Sequence, residues 1–344
     1  HILAHTGQNF DERLSGVFFD ELGVRAPDRF FGVKASSAMG QVGQILEQSE
    51  ALLNEVRPDR LLILGDTNSG LAAIPARRMG IPVYHMEAGN RCFDDRVPEE
   101  VNRRIIDHSS TVLLPYTRNS AANLHREGFA QDRVYVTGNP IKEVIDHYAP
   151  QIDASAIHAS LGLQAGEYIL VTMHRAENVD VEERLRALVA ALKDLGREYG
   201  KPVIVSFHPR TRAKVEAFGV DLEGLRFLEP FGFFDFIALE RAAFLVLSDS
   251  GTVQEEACLF GIPNVTIRDV TERPETLECG SNVLAGADPG RIAATARLVL
   301  DRPHPWTPPE EYLRTDVSDT VARLLLSHRL PDPAERQYRT FQGR

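Results

Sequence analysis

The strongest constraint on the fold of this 344-residue chain is an alternation of short apolar runs with amphipathic stretches. The apolar runs are rich in Val and Ile and have the length of a strand, whereas the stretches between them have the period of a helix. Strands that are apolar throughout are typical of a parallel sheet covered by helices on both faces. Because the pattern occurs in two blocks, it predicts an α/β protein with two Rossmann-like, doubly wound parallel-sheet domains.

The two blocks and the segment after them define the predicted domains. The predicted strands lie at 60–66, 82–88, 111–117 and 133–139 in the first block, and at 168–175, 202–208, 225–231, 244–250 and 263–268 in the second. The alternation breaks around residues 148–156, which predicts a first domain at 1–150 and a second at 151–316. A last helix is predicted in the C-terminal segment 317–344.

The composition argues against several kinds of partner. The net charge is −11 with scattered basic residues, which disfavours nucleic acid, and no apolar run approaches the roughly 18 residues of a membrane span. The cysteines Cys92, Cys258 and Cys279 have no metal-ligand spacing, which indicates reduced thiols, a cytoplasmic location and no metal site. The chain begins with His1 rather than Met, so we expect a natural N-terminal segment to be missing.

Polar residues are concentrated at the carboxyl ends of the predicted strands. In doubly wound sheets ligands bind beyond these ends, and two such domains in one chain predict a binding cleft between them. A single motif of this kind is more often a helix cap or a turn. Seven at equivalent positions indicate a binding site: GDTNSG (65–70), HMEAGNR (85–91), TGNP (137–140), MHRAEN (173–178), SFHPRTR (206–212), SDSGTVQEE (248–256) and RDVTERPE (268–275).

The SDSGTVQEE segment predicts a nucleotide-binding helix start. The first N–H groups of a helix have no partner within the helix and attract anions, so Ser250, Gly251 and Thr252 are predicted to hold a phosphate. Glu256, about one turn further along, is predicted to accept hydrogen bonds from a ribose diol. The alternative is that Glu255 and Glu256 only complement the helix dipole.

The segment after the next predicted strand supplies positive charge. Arg268 and Arg273 are predicted to neutralise the phosphates of a bound nucleotide diphosphate. No GxGxxG sequence opens a helix after a strand, so the chain lacks the fingerprint of a nicotinamide site. No redox cofactor is therefore predicted.

The first domain contributes acids. Asp66 and Glu87 follow predicted strands, and Glu99 opens a helix behind a proline. Carboxylates that converge on one site have pKa values that are forced apart, so one can act as a base and another as an acid. The alternatives are that Glu99 and Glu100 match the helix dipole, and that His174, which would face the acids from the second domain, is a structural hydrogen-bonding group.

Seven segments, in this order along the chain, resemble the non-hydrolysing UDP-N-acetylglucosamine 2-epimerases: TGQNFDERLS, LGDTNS, HMEAGNRCFDDRVPEEVNRRIIDH, VTGNP, VTMHRAENVD, SDSGTVQEEACLFGIP and RDVTERPE. The resemblance implies the GT-B architecture, with UDP-sugar in the interdomain cleft and a final helix that crosses back to the first domain. It also implies inversion at C2 of a UDP-2-acetamido sugar, by elimination of UDP to a 2-acetamidoglucal and re-addition. No cofactor is implied, and the implied assembly is a homodimer.

The resemblance also implies roles for individual residues. The family's catalytic residues match Asp66, Glu87, Glu99 and His174. Its UDP ligands match His174, Phe236, Ser250, Gly251, Thr252, Glu256 and Arg273. In many bacterial members a second, regulatory UDP-sugar site exists, for which the candidates here are Gln8, Asp11, Lys34 and His208.

The chain departs from the family pattern at several positions. The family's first strand and GTRPE-type loop are absent, Thr252 stands in place of a glycine, and Asn9 and Lys34 replace a histidine and an arginine. HRAEN and AGNRC replace the commoner HRREN and AGLRT. With these variants, the sequence is as consistent with a branch of the family that acts on modified UDP-sugars as with action on UDP-N-acetylglucosamine. Examples of such sugars are UDP-2,3-diacetamido glucuronic acid and the precursors of UDP-N-acetylfucosamine. A GT-B glycosyltransferase and a non-catalytic UDP-sugar binding module also remain compatible with the sequence.

Overall fold

A computed structural model of the chain describes residues 1–7, 19–207, 209–302 and 304–327. They form two compact units: His1–Pro140 together with the C-terminal segment from Asp316, and Ile141–Thr315. Residues 141–150, which the sequence pattern assigned to the first domain, belong to the second unit. Both units contain parallel strands separated by helices, which is the predicted α/β class.

The first unit contains a three-stranded parallel sheet and a separate parallel strand pair. Its elements in chain order are β1 (Ala4–His5), β2 (Arg29–Phe30), α1 (Ala38–Val56), β3 (Leu61–Leu64), α2 (Ala73–Arg78), β4 (Val83–Met86), α3 (Pro98–Ser109), β5 (Val112–Leu114) and α4 (Arg118–Arg126). The sheet has the order β3–β4–β5, and β1 pairs with β2. The central strand β4 is buried along its whole length, as expected of a strand covered on both faces.

The predicted strand at 133–139 is wrong. This segment makes one isolated parallel bridge, between Leu113 and Val134, beyond the edge of the sheet. The Tyr135 N–H donates to Leu113 and the Thr137 N–H donates to Pro115, but no regular strand forms. Gly138 has a positive φ of 88°, which turns the chain away from the extended conformation. An alternating apolar pattern without a continuous row of hydrogen bonds does not make a strand.

The second unit is a six-stranded parallel sheet with helices between its strands. Its elements are α5 (Ile141–His147), α6 (Ala149–Asp153), α7 (Ile157–Leu161), β6 (Ile169–Thr172), α8 (Ala176–Val179), α9 (Glu182–Tyr199), β7 (Val203–Ser206), α10 (Pro209–Phe218), β8 (Arg226–Leu228), α11 (Phe233–Glu240), β9 (Leu245–Ser248), α12 (Gly251–Phe260), β10 (Asn264–Thr266), α13 (Pro274–Glu278), β11 (Asn282–Leu284) and α14 (Pro289–Asp301). The strand β11 was not predicted from the sequence.

The strand order of the second unit places a topological switch point. The order is β11–β10–β9–β6–β7–β8. From β6 the chain continues outward through β7 to β8 on one side of the sheet, and from β9 it continues through β10 to β11 on the other side. The direction of strand addition therefore changes between β6 and β9. The two strands pair with each other, with Thr172 opposite Ser248. Ligands of doubly wound sheets bind at the carboxyl ends of such a strand pair. The loops that follow Thr172 and Ser248 are therefore where the fold predicts a ligand site.

The last helix, α15 (Val317–Ser327), belongs to the first unit. Val317 and Val321 are one turn apart and pack in one cluster with residues of β4 and β5, among them Tyr84, Val112 and Leu114. Burying one valine side chain stabilises a fold by roughly 1.5–3 kcal/mol. The helix thus covers one face of the sheet of the first unit. Among the described residues, no helix is both long enough and apolar enough to cross a membrane.

Candidate active site

The switch point of the second unit carries a small cavity. The Thr172 and Ser248 hydroxyl groups are hydrogen-bonded to each other at 2.7 Å, which ties together the ends of β6 and β9. Directly beyond them lies a cavity of about 180 Å³, which His174, Phe236 and Ser250 help to line. Three residues that the sequence analysis assigned to nucleotide binding are therefore brought together at this point of the fold.

Asp249 holds the loop that carries His174. Its buried carboxylate accepts hydrogen bonds from the backbone N–H groups of His174 and Arg175 and from the side chain of Asn178, at 2.9–3.1 Å. It also lies 3.2 Å from Nδ1 of His174. Burial alone would raise the pKa of Asp249, but the charge of His174 and these hydrogen bonds lower it to about 2. The carboxylate is therefore ionised at neutral pH and orients the half-buried imidazole. The sequence analysis gave Asp249 no role.

The start of α12 is open to an anion. No side chain caps this helix, and the Ser250 N–H donates to the Ser248 hydroxyl at 2.9 Å. Gly251 is required here, because a Cβ atom would lie 2.9 Å from Oε1 of Glu272 and 3.4 Å from Cζ of Arg273. The side chain of Thr252 is exposed. Uncapped N–H groups beside an arginine have the chemistry of a phosphate-binding site.

The alternative that Glu255 and Glu256 only complement the dipole of α12 does not fit the structure. The first turn of α12 holds no acidic residue, and both Glu255 and Glu256 are buried. Glu255 accepts a hydrogen bond from Nε of Arg273 and forms a buried ion pair with it. Arg268, also buried, pairs instead with Glu272 at 2.8 Å and with Glu177 at 3.2 Å. Glu255 thus positions Arg273, a contact that the sequence analysis missed.

Glu256 belongs to a buried carboxyl pair. Its carboxyl group lies close enough to that of Glu240, the last residue of α11, for the two to interact electrostatically, and the two residues are 4% and 0% exposed. Burial raises the pKa of Glu256 to about 7. Burial and the charge of Glu256 raise the pKa of Glu240 well above its usual range. Glu240 therefore retains its proton, and above pH 7 Glu256 is the ionised member, able to accept hydrogen bonds from a ligand.

In the first unit, Asp66 and Glu87 follow neighbouring strands. Leu64 of β3 is paired with Met86 of β4, so the two carboxylates leave the same edge of the sheet. Asp66 accepts two hydrogen bonds from the guanidinium of Arg103, at 2.6 and 3.2 Å, and the Arg103 side chain is only 2% exposed. A buried arginine of this kind fixes the position of the carboxylate. Arg103 was not singled out from the sequence.

Glu87 is held in an unusual backbone conformation. Its φ is 67°, which is uncommon for a residue other than glycine and indicates that the surroundings determine it. Its N–H donates to Leu114 at 3.2 Å, and its Oε1 accepts from the amide of Asn90 at 3.1 Å. The half-buried carboxylate also lies beside Gly65, since a Cβ atom there would be 3.5 Å from Oε2 of Glu87. Glu87 and Asp66 therefore lie side by side.

The adjacent acids of α3 have different environments. Glu100 is fully buried and accepts hydrogen bonds from the N–H groups of Cys92 and Phe93 and from the side chains of Arg103 and Arg104. Burial alone would raise the pKa of Glu100, but these donors lower it. Glu99 is half-buried and lies one turn before Arg103, the partner of Asp66. Glu100 is therefore held in a buried network, whereas Glu99 is the more accessible of the two acids.

A buried charge network underlies the Glu87 turn. Asp107 accepts from Nδ1 of His85 at 2.7 Å, from the N–H of Gly89 at 3.1 Å and from Arg91 at 2.8 Å. Arg91 also pairs with Glu127 at 2.6 Å. Burial would raise the pKa of Asp107, but His85 and Arg91 outweigh it and lower that pKa. The network fixes the segment that presents Glu87 to the edge of the sheet.

The candidates for the second site stay a prediction. Gln8, Asn9, Asp11 and His208 lie outside the described residues. Lys34 is exposed, and its backbone exchanges two hydrogen bonds with the side chain of Gln44, each at 2.9 Å. In the part of the chain that the structure describes, no group of three or more His, Cys, Asp or Glu side chains could hold a metal ion.

Two Rossmann-like units in one chain, the second with its ligand site at the switch point, define a protein of the GT-B class. A family model described as UDP-N-acetylglucosamine 2-epimerase matches residues 1–326. The chain belongs to this family.

Relatives and a solved structure agree with this assignment. The chain is 38% identical over 316 residues to the UDP-N-acetylglucosamine 2-epimerase of Methanococcus maripaludis, covering 89% of this chain and 86% of that protein. It is 39% identical over 303 residues to the UDP-2,3-diacetamido-2,3-dideoxy-D-glucuronate 2-epimerase of Pseudomonas aeruginosa, covering 88% and 84%. The crystal structure of Methanocaldococcus jannaschii UDP-GlcNAc 2-epimerase with UDP-GlcNAc and UDP is similar with a TM-score of 0.89 and 34% identity, over 94% of this chain and 91% of that one.

Proposed function

We propose that the protein inverts C2 of a UDP-2-acetamido sugar, interconverting UDP-N-acetylglucosamine and UDP-N-acetylmannosamine without hydrolysis. The proposal rests on three half-buried carboxylates of the first unit: Asp66 and Glu87 follow neighbouring strands, and Glu99 is one turn before Arg103, the partner of Asp66. Nucleotide binding needs no such set, whereas moving a proton to and from opposite faces of one carbon needs more than one acid-base group.

The proposed chemistry is an elimination followed by an addition. A carboxylate removes the C2 proton while the bond between C1 and oxygen breaks, and UDP leaves with the electron pair to give a 2-acetamidoglucal. UDP then adds back to C1, and an acid delivers a proton to the other face of C2. Arg103 and Asn90 position two of the carboxylates, and positioning accounts for much of the effect of a catalytic group.

The second unit is proposed to hold the nucleotide. The diphosphate binds the N–H groups of Gly251 and Thr252, with Ser250, His174 and Arg273 around it, and Phe236 packs beside the nucleotide. Glu256 accepts from the ribose hydroxyl groups. Donors aimed at the phosphates stabilise the charge that develops on UDP as it leaves, which lowers the barrier to elimination.

A second candidate substrate is a modified UDP-sugar. It is favoured by the similarity to the Pseudomonas aeruginosa enzyme, whose substrate carries a second acetamido group and a carboxylate. The same proton transfers at C2 apply to both substrates. The two substrates differ in their substituents at C3 and C6, so the residues that contact these substituents determine which substrate the protein accepts.

Incubation with UDP-N-acetylglucosamine alone in deuterated water tests the reaction. We expect NMR to show the second epimer, with deuterium at C2 of both sugars, because elimination transfers the C2 proton to a carboxylate base, where it exchanges with solvent. Epimerisation that retains the C2 hydrogen, or that requires added NAD, would contradict the mechanism. Turnover of the diacetamido glucuronate sugar alone would select the second candidate, and a requirement for an acceptor would indicate a glycosyltransferase.

Replacing Glu256 with alanine tests the nucleotide site. The loss of a charge-assisted hydrogen bond to the ribose should weaken UDP binding by about 1.5–3 kcal/mol, measured by calorimetry above pH 7. Glu223→Ala removes an exposed carboxylate of the same unit and serves as the matched control. Unchanged UDP affinity in a folded Glu256→Ala variant would remove this residue from the binding site.

The assembly and location follow from the same proposal. We infer a homodimer from the resemblance to the family, and a cytoplasmic location from three free cysteines together with a nucleotide-sugar substrate. Light scattering of the purified chain measures the oligomeric state directly.

A further inference from the structure

Two cysteines of the second unit lie in contact outside the proposed nucleotide site. Sγ of Cys258, in the last turns of α12, is 3.8 Å from Sγ of Cys279, the residue that follows α13. All three cysteines of the chain are free thiols, and the third, Cys92, belongs to the first unit. The sulfur atoms of a disulfide are about 2.05 Å apart, so a shift of roughly 2 Å would join this pair.

The two thiols have unequal environments. Cys279 is half-buried, and its Sγ lies 3.4 Å from the Ser281 hydroxyl and 3.6 Å from the Thr276 carbonyl oxygen. The contact with the Cys258 thiol and the contacts with Ser281 lower the pKa of Cys279 to about 6. The pKa of Cys258 is raised by the same contact and by burial. Cys279 has the lower pKa of the two thiols and is the more exposed of them, so it is the better nucleophile of the pair, because thiols react as thiolates.

A cavity lies beside the buried member of the pair. It has a volume of about 510 Å³, and Cys258, His304 and Trp306 help to line it. The Trp306 indole N–H donates to the Cys258 carbonyl oxygen at 2.9 Å, and the ring of His304 approaches Gly280, the neighbour of Cys279. The cavity is large enough for a small organic molecule to lie beside Cys258, and Cys279 is itself partly exposed to solvent.

We propose that Cys258 and Cys279 form a dithiol site that reacts with low-molecular-weight disulfides and closes to an intramolecular disulfide. The Cys279 thiolate attacks one sulfur of the reagent RSSR, forming a mixed disulfide and releasing RS⁻. Cys258 then attacks the Cys279 sulfur, gives its proton to solvent, and displaces the second RS⁻. The protein loses two electrons and two protons, and RSSR is reduced to two RSH.

The closed disulfide would link two segments that meet at the open start of α12. Cys258 shares α12 with Gly251 and Glu256, and Cys279 ends the short helix that follows Arg273. Oxidation would therefore cross-link the helix with the anion-binding start to the segment that carries its arginine. The thiol chemistry itself does not depend on the reaction proposed above.

Exposure of the native full chain to glutathione disulfide tests the site. We expect the count of free thiols, titrated after denaturation, to fall from three to one, since the chain has three cysteines. Peptide mapping should find one cross-link, between Cys258 and Cys279, that dithiothreitol reverses. A count that stays at three, or a cross-link that forms only in the denatured chain, would overturn the proposal.

Three variants separate the roles of the thiols. Cys258→Ser should stop at a mixed disulfide on Cys279, because no second thiol is in reach to displace the reagent. Cys279→Ser should leave Cys258 reduced over the same time, because Cys258 is buried and is not the better nucleophile of the pair. Cys92→Ser is the matched control and should form the disulfide as the wild type does. Loss of thiol from Cys279→Ser at the wild-type rate would also refute the proposal.

Discussion

Replacing Asp66, Glu87 or Glu99 by its amide is expected to lower turnover by about 10² to 10⁴, the usual contribution of a general acid or base. Each amide has nearly the volume of the carboxylate but cannot accept or deliver the proton at C2. All three residues belong to the first unit, whereas the proposed nucleotide ligands belong to the second. UDP affinity should therefore change much less than turnover, and the two are read separately by initial rates and by calorimetry.

Asp95→Asn is the matched control for these variants. Asp95 is an exposed acid of the same unit, and its pairing with Arg104 at 3.2 Å is at the surface. Turnover of the Asp95→Asn variant should stay within about twofold of wild type, because a surface ion pair contributes little to stability. An amide variant whose turnover matches that of the Asp95→Asn control would lose its place in the mechanism.

Asp107→Ala is expected to destabilise the first unit by about 3–5 kcal/mol. The substitution removes the buried carboxylate that Arg91 and His85 share, and removing one partner of a buried ion pair is costly even though Arg91 keeps its pair with Glu127. Urea unfolding followed by circular dichroism measures the loss of stability. Hydrogen exchange of the amides of β4 should accelerate in parallel, because His85 lies on that strand.

Asp146→Ala supplies the comparison for a surface pair. Asp146 pairs with Lys142 one turn earlier on α5, at 2.7 Å, and the two side chains are 49% and 31% exposed. Loss of this ion pair should lower the free energy of unfolding by no more than about 0.5 kcal/mol. If Asp107→Ala cost as little as Asp146→Ala, the buried network would not stabilise the unit.

The sheet architecture could be predicted from the sequence because the pattern of apolar strands and amphipathic helices is repeated along the chain. Apolar strands and helical spacing recur many times, so an error at one element leaves the fold class unchanged. Five of the six strands of the second unit, β6 to β10, lie within the predicted ranges but are shorter than predicted. The failures are local: the segment 133–139 makes one bridge to β5 rather than a continuous row of strand hydrogen bonds, and the short strand β11 was not predicted.

The supporting contacts of the candidate site could not be read from the sequence. Nothing at residue 107 distinguishes an aspartate that binds His85 and Arg91 from a solvated helical acid, because the partners are distant along the chain. For the same reason, Glu240 could not be paired with Glu256 before the packing of α11 and α12 was known. Strand-end motifs predict which residues could face a ligand, whereas the residues that hold them in place depend on tertiary contacts.

The return of α15 to the first unit has a consequence for the order of folding during synthesis. The second unit is one continuous segment, Ile141–Thr315, whereas the first unit needs residues made after it. At about 5–20 residues per second, the ribosome takes roughly 10 to 35 s to pass that segment. Throughout this interval Tyr84, Val112 and Leu114 lack the valines that later cover them. The nascent first unit therefore presents an apolar face to chaperones until the last helix leaves the ribosome.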